Sequence, residues 1–215
     1  MAARYDLVAF DLYGTLLAVE KLLDAVSPIL GADAAAILPK WRKVQLDRTW
    51  ELNRRGNYEP FGQLTAVALT QVAPNLSPGT IERACKSWLT VPPHPDAVAA
   101  VSKLRATGVR CAVLSNGTAP MIRAALQAAR LPIDEVRSVD EVRVYKPDPR
   151  VYALLDTMAP RDRALFVSSN GWDVDGCKRT GRIVAYVDRG GAAPTQTPDF
   201  RVSSLAELAG LVTAG

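Results

Sequence analysis

A chain of 215 residues, 48% hydrophobic and 22% charged, suits one domain with a large insertion or two small domains, and excludes disordered, collagen-like and coiled-coil architectures. The formal charge of +4 is mild, and Lys and Arg are scattered rather than massed, so no nucleic-acid partner is expected. No membrane partner is expected, since charged residues break up the apolar runs short of the roughly 18–20 residues of a membrane span, and Asp6 and Asp11 interrupt the opening stretch before a signal-peptide core forms.

Along the chain, short β-branched runs predict strands at 6–10, 110–115, 135–139, 164–169, 182–188 and 200–204. From the second onward they alternate with helical patterns such as 95–108 and 119–131, the signature of a parallel sheet covered on both faces. The predicted fold is a doubly wound, Rossmann-like α/β sheet. Between Thr15 and Pro95 there is no convincing buried strand. The segments there read as amphipathic helices with breaks near Pro28, Gly56–Pro60 and Asn75–Gly79. This predicts a helical cap over residues 18–95, inserted into a core made of 1–17 and 96–215, with the stiff VPPHP segment as the return linker.

Cys85, Cys111 and Cys177 lie far apart, are odd in number and form no C-x-x-C pair. That pattern predicts reduced thiols in a cytoplasmic protein, with neither a disulfide framework nor structural zinc. His94 is the only histidine, and its place in the linker makes it a structural residue. Catalysis is therefore expected to draw on carboxylates, lysine, arginine and hydroxyls.

In an open parallel sheet, ligands bind beyond the C-terminal strand ends at the switch point. Four such ends offer polar groups: Asp11-Leu12-Tyr13-Gly14-Thr15, Ser115-Asn116-Gly117, Tyr145-Lys146-Pro147, and Ser168-Ser169-Asn170-Gly171-Trp172-Asp173. One aspartate after a strand reads as a helix cap; four convergent ends read as a site.

This pattern resembles the haloacid dehalogenase superfamily, in which the aspartate after the first strand is the nucleophile. Phosphatases of that superfamily carry a second aspartate where this chain has Tyr13, and further acidic metal ligands where it has Ser169-Asn170. Both departures match the (S)-2-haloacid dehalogenases. The chain is similar to them at FDLYGTL (10–16), WRKVQLDRTW (41–50), YEPF (58–61), LSNG (114–117), YKPDPRVY (145–152) and SSNGWDVDG (168–176). A halide leaving group needs no proton, and a monoanionic substrate needs no divalent cation, so neither cofactor nor metal is expected.

The resemblance implies hydrolysis of (S)-2-haloacids to (R)-2-hydroxy acids through an ester on Asp11. It implies that Lys146 and Thr15 hold the nucleophile, and that Tyr152 stands near it. Asp173 with Ser168 and Asn170 would orient the hydrolytic water. The Leu12 and Tyr13 backbone N–H groups and Ser115 would take the substrate carboxylate. Arg42, Asn116 and Phe61 would cradle the halide, with Trp172 also lining the substrate site. Lys43 replaces a glutamine that lines the pocket in some relatives, and Gly171, in place of a more usual alanine, is expected to loosen its loop. Cys177, also in place of alanine, reads as a helix core residue. Relatives are often dimers, which makes a homodimer the expected assembly. Three readings stay open beside dehalogenation: hydrolysis of another C–X bond, such as ring opening of a small cyclic amino acid; a phosphatase using Asp173 and Asp175 for Mg²⁺; and a non-catalytic small-acid binding module.

Overall fold

The computed structural model describes residues 4–214; the first three residues and Gly215, which belong to the predicted core segments and to the opening stretch, lie outside it. After β1 (Leu7–Phe10) come four helices: α1 (Leu22–Leu30), α2 (Ala34–Arg55), α3 (Phe61–Val72) and α4 (Pro78–Lys86). The chain then runs through α5 (Ala97–Ala106), β2 (Arg110–Ser115), α6 (Ala119–Ala128), β3 (Glu135–Ser138), α7 (Pro149–Ala153), β4 (Ala164–Ser168), α8 (Gly171–Lys178), β5 (Ile183–Val187), β6 (Phe200–Val202) and α9 (Leu205–Ala214). The six strands form one sheet in the order β3-β2-β1-β4-β5-β6, each neighbouring pair parallel. Every predicted strand is present.

The apolar runs explain the layering. All four residues of β1 are buried. Successive side chains point to opposite faces, so Val8 and Phe10 join the cluster holding Val101, Leu104, Ile122 and Leu208 from α5, α6 and α9. Leu7 and Ala9 join the other, with Val151 and Tyr152 from α7 and Val174 and Cys177 from α8. Phe10 pairs with Val113 on one side and Val167 on the other. The strand order reverses direction of travel at β1 and β4, so the crevice beyond them is the switch point.

The helical cap leaves and rejoins the core side by side. Ala18 N–H donates to Pro92 O at 2.8 Å, and His94 N–H donates to Leu16 O at 2.9 Å. His94 itself is buried, with its ring Nε2 3.1 Å from the Gly14 carbonyl. Since a carbonyl can only accept, Nε2 carries the proton, and the imidazole ties the return linker to the loop after β1.

Two expectations need correction. Pro28 lies inside α1, and the break falls at Gly31, whose φ of 70° is left-handed. The helical run Val19–Arg55 contains an 18-residue window apolar enough to cross a membrane. The sequence reading missed it because Asp24 and Asp33 punctuate the run. The chain turns at Gly31 within it, and Leu22, Val26 and Leu30 of the nine-residue α1 pack into the core, as in a soluble protein.

Candidate active site

The switch-point crevice is built around three charges. Asp11 follows β1 directly and is held in register by its N–H donating to Val167 O at 2.9 Å. Its Oδ1 accepts from Lys146 Nζ at 3.1 Å; its Oδ2 accepts from Asn170 Nδ2 at 2.8 Å and from Thr15 Oγ at 3.2 Å. Lys146 Nζ also donates to Asp173 Oδ2 at 2.8 Å, and Tyr152 donates its hydroxyl to Asp173 Oδ1 at 2.6 Å. Lys146 is 1% exposed and Asp173 is fully buried.

Electrostatics follow from that burial. Desolvation pulls the Lys146 ammonium down, but Asp11 and Asp173 outweigh it, and its pKa ends above the ordinary 10.5. Burial raises the Asp173 carboxyl above its usual 3.8, with Lys146 opposing and the Asp11 charge adding. Tyr152 is pushed up by burial and then by Asp173, which keeps its phenol protonated as a donor. Lys146 Nζ also sits 4.9 Å from the Phe166 ring centroid.

The loop after β1 is pinned from behind. Ser169 Oγ donates to Gly14 O at 2.7 Å, and Ser169 N–H donates to Thr15 Oγ at 2.9 Å. Neither the Leu12 nor the Tyr13 N–H donates to a protein oxygen among the described residues. The Tyr13 phenol donates to Trp88 O at 2.9 Å, across to the helical segment.

A small, partly open cavity of about 20 Å³ lies in front of Asp11, room for roughly one water. It is lined by Asp11, Tyr13, Arg42, Phe61, Ser115, Asn116, Lys146, Asn170 and Trp172, together with Leu46 and Gly117. Asn116 Oδ1 accepts from Lys146 N–H at 3.0 Å, which leaves its –NH₂ as the end able to meet an anion. Arg42, from α2, lies 5.5 Å from the Trp88 ring centroid; burial pulls its pKa below the usual guanidinium value, with Asp11 opposing. Trp172 meets Trp50 edge-to-face at 6.3 Å.

Of the residues named from sequence, nine line the cavity. Thr15, Tyr152 and Asp173 stand behind it, in contact with the lining groups rather than the space. Ser168 Oγ accepts from Asn170 N–H at 3.1 Å, and the Leu12 side chain is core. Lys43 does not line the cavity: its ammonium bonds Asp47 at 2.6 Å and is 75% exposed. Gly171 does not loosen its loop either. A Cβ there would stand 2.4 Å from Ala192 O, so the 192–194 backbone packs directly on it. Asp175, the other proposed metal ligand, accepts from Thr195 N–H and hydroxyl and from Gln196 N–H, which commits both its oxygens to that same loop.

Ser169, Leu46, Gln45, Thr65 and Gly176 were given no individual role from sequence. Gly176 leaves room for Pro147 and the Tyr152 hydroxyl, which a Cβ would meet at 2.5 and 2.7 Å. Glycine opening a helix turn beside a functional carboxylate was the available signal.

Comparison with known proteins fits this geometry. A family model described as haloacid dehalogenase-like hydrolase matches residues 5–181. The (S)-2-haloacid dehalogenase H-109 of Pseudomonas putida is 38% identical over 212 residues, covering 94% of this chain and 95% of that protein. The haloacetate dehalogenase H-2 of Moraxella sp. (strain B) is 34% identical, covering 97% and 98%. The structure of an L-2-haloacid dehalogenase from Xanthobacter autotrophicus, with chloropropionic acid covalently bound, superposes with a TM-score of 0.91 at 30% identity, covering 97% of this chain and 98% of that one. The chain belongs to the haloacid dehalogenase-like hydrolase family.

Proposed function

We propose that this chain is an (S)-2-haloacid dehalogenase, a hydrolase of carbon–halide bonds that works through an ester on Asp11. The observation that carries this reading is the phenol of Tyr13. Two residues beyond the nucleophile, where a leaving alkoxide would need its proton, the side chain is a phenol whose proton is committed to the Trp88 carbonyl. A halide leaving the substrate carbon needs no such proton, so the arrangement suits it. The amide of Asn170, in place of an acidic side chain, supports the same conclusion, as do the relatives named above.

Asp11 Oδ1, held by Lys146 alone, attacks the substrate α-carbon from behind; the C–X pair leaves with the halide, and an ester forms with inversion. Lys146 sets its ammonium 3.1 Å from the attacking carboxylate as a counter-charge, in a site that excludes water. Oδ2, held by Asn170 and Thr15, becomes the ester carbonyl oxygen. Water then attacks the ester carbon, and the same two donors receive the oxyanion. Collapse breaks the bond from the ester carbon to Oδ1; one proton of the attacking water goes to that departing oxygen and the other to solvent, which releases the (R)-2-hydroxy acid and restores Asp11 as a carboxylate. Asp173 and Tyr152 position Lys146, and Ser168 and Asn170 orient the water with Asp173. The free N–H groups of Leu12 and Tyr13, with Ser115, hold the substrate carboxylate. Arg42, Asn116, Phe61 and Trp172 receive the halide. The cavity in front of Asp11 is narrow, and residues 18–95 move as a cap to admit substrate, away from the core of 4–17 and 96–214. A cytoplasmic homodimer that contacts neither nucleic acid nor membrane completes the proposal.

Two measurements test it. Halide should be released from (S)- and not (R)-2-chloropropionate, at the same rate after exhaustive chelation. In ¹⁸O water with enzyme in excess, the first-turnover hydroxy acid should be unlabelled and the peptide containing Asp11 labelled. Label in the product would mean that water attacks the substrate directly.

A further inference from the structure

Arg42 and Phe61 reach the cavity from different helices, α2 and α3, and the side chains between them are joined. Gln45, fully buried one turn beyond Arg42, accepts from Arg42 Nη1 at 2.8 Å with its Oε1. Its Nε2 donates to Thr65 Oγ at 2.8 Å. Thr65 Oγ donates in turn to the Phe61 carbonyl at 2.7 Å. Trp41, on the same face of α2 as Gln45, donates its indole N–H to Thr65 O at 2.8 Å.

We propose that Gln45 and Thr65 are positioning residues, a two-member relay that fixes the Arg42 guanidinium and ties it to Phe61. The directionality makes it a relay. A hydroxyl has one proton, and Thr65 gives it to Phe61 O, so Thr65 can only accept from Gln45. That turns the Gln45 –NH₂ toward Thr65 and leaves its carbonyl oxygen toward Arg42. The reverse amide orientation would set donor against donor at the guanidinium. Gln45 occupies one Arg42 nitrogen and cancels none of its charge, so the remaining donors stay available to an anion. A carboxylate at position 45 would hold the arginine as well and neutralise its field. The inference rests on the proposed halide role of Arg42 but adds residues that touch no substrate.

The test uses Gln45→Met, which keeps length and loses both bonds, and Thr65→Val against Thr65→Ser. Three quantities are read: chloride inhibition of haloacid turnover, kcat and KM with (S)-2-chloropropionate, and the ¹⁵Nε–¹Hε resonance of Arg42. Gln45→Met should raise the chloride inhibition constant about tenfold, the scale of one hydrogen bond to a charged group. It should lower kcat more than it raises KM, and broaden the Arg42 resonance. Thr65→Val should do the same in smaller measure, and Thr65→Ser should restore the wild-type values. Thr65 substitutions are small, so folding of at least one pair is secured. Lower melting temperatures with unchanged chloride inhibition and a sharp Arg42 resonance would overturn the relay and leave the dehalogenase reading standing. A wild-type chain that releases no halide would sink that reading instead. The Arg42 resonance then decides alone: sharp in all variants overturns the relay, whereas broad in Gln45→Met and Thr65→Val and sharp in Thr65→Ser supports it.

Discussion

Lys146→Met is the most informative single perturbation of the charge network. The ammonium lies between two buried carboxylates, at 3.1 Å from Asp11 and 2.8 Å from Asp173, with 1% of its surface exposed. Methionine fills a similar volume but leaves two like charges facing each other without a counter-ion. Removing one partner of a buried pair costs about 3–5 kcal/mol. If a comparable share is lost at the transition state, turnover falls by about 10²–10⁴ at ~1.36 kcal/mol per factor of ten. The pH dependence carries the sharper test. Asp173 has a raised pKa, so its contribution to stability is present below the ordinary 3.8 and is lost as pH rises through the raised value. In the variant the opposing lysine is gone and that loss grows. The gap in melting temperature between wild type and variant should therefore be wide at pH 7.5 and narrow toward pH 4.5. Lys146 has the same sign: its contribution is fully present below 10.5 and is lost only as pH rises through its raised pKa. In wild type the network should therefore hold unweakened between pH 8 and about 10. Thermal unfolding across that range, with halide release at each pH, makes the comparison. A gap that stays constant or widens on acidification would refute the assignment of the network, as would a variant within threefold of wild-type turnover.

Substitutions at three further positions probe separate parts of the site. Arg42→Ala should cost about 10²–10³ in kcat by removing the charge that meets the departing halide, and Arg42→Lys should rescue poorly because an ammonium is compact and strongly hydrated; steady-state kinetics with 2-chloropropionate measure both. Asn53→Leu should lower stability by roughly 2 kcal/mol, since Asn53 of α2 makes two hydrogen bonds to the Tyr145 backbone, at 2.7 and 2.9 Å, beside Lys146. Faster amide exchange at 143–147 with unchanged exchange in β1 would locate the loss at the contact between cap and core. Gly171→Ala should lower the melting temperature and weaken turnover, because the new methyl meets backbone at 2.4 Å rather than a movable side chain; a melting temperature equal to wild type would show that the 192–194 loop yields freely.

The strands and the place of Asp11 at the end of the first were legible in the sequence because their causes are local. A buried central strand must be apolar along its whole length, and LVAF says so in four letters. Polar residues that follow such a strand directly have nowhere to go but the crevice at its end, which is why Asp11, Asn116 and Asn170 could be named before any coordinates. The expectations for Lys43 and Gly171, and the rival metal role of Asp175, fail for different reasons. Lys43 sits next to Arg42, yet one step along a helix turns a side chain by about 100°, and that step carries Lys43 from cavity to solvent. Gly171 reads as a flexible substitution in isolation, but its meaning is set by residues 192–194, packed where a methyl would be. Asp175 looks like a metal ligand by spacing from Asp173, and it is the anchor of that same loop. The corrections at Gly171 and Asp175 therefore have one cause: the segment after β5 folds back onto the turn that carries Asn170. Nothing in the composition of 189–196 announces that return, because a loop is placed by hydrogen bonds to its backbone, and those leave almost no trace in its own side chains.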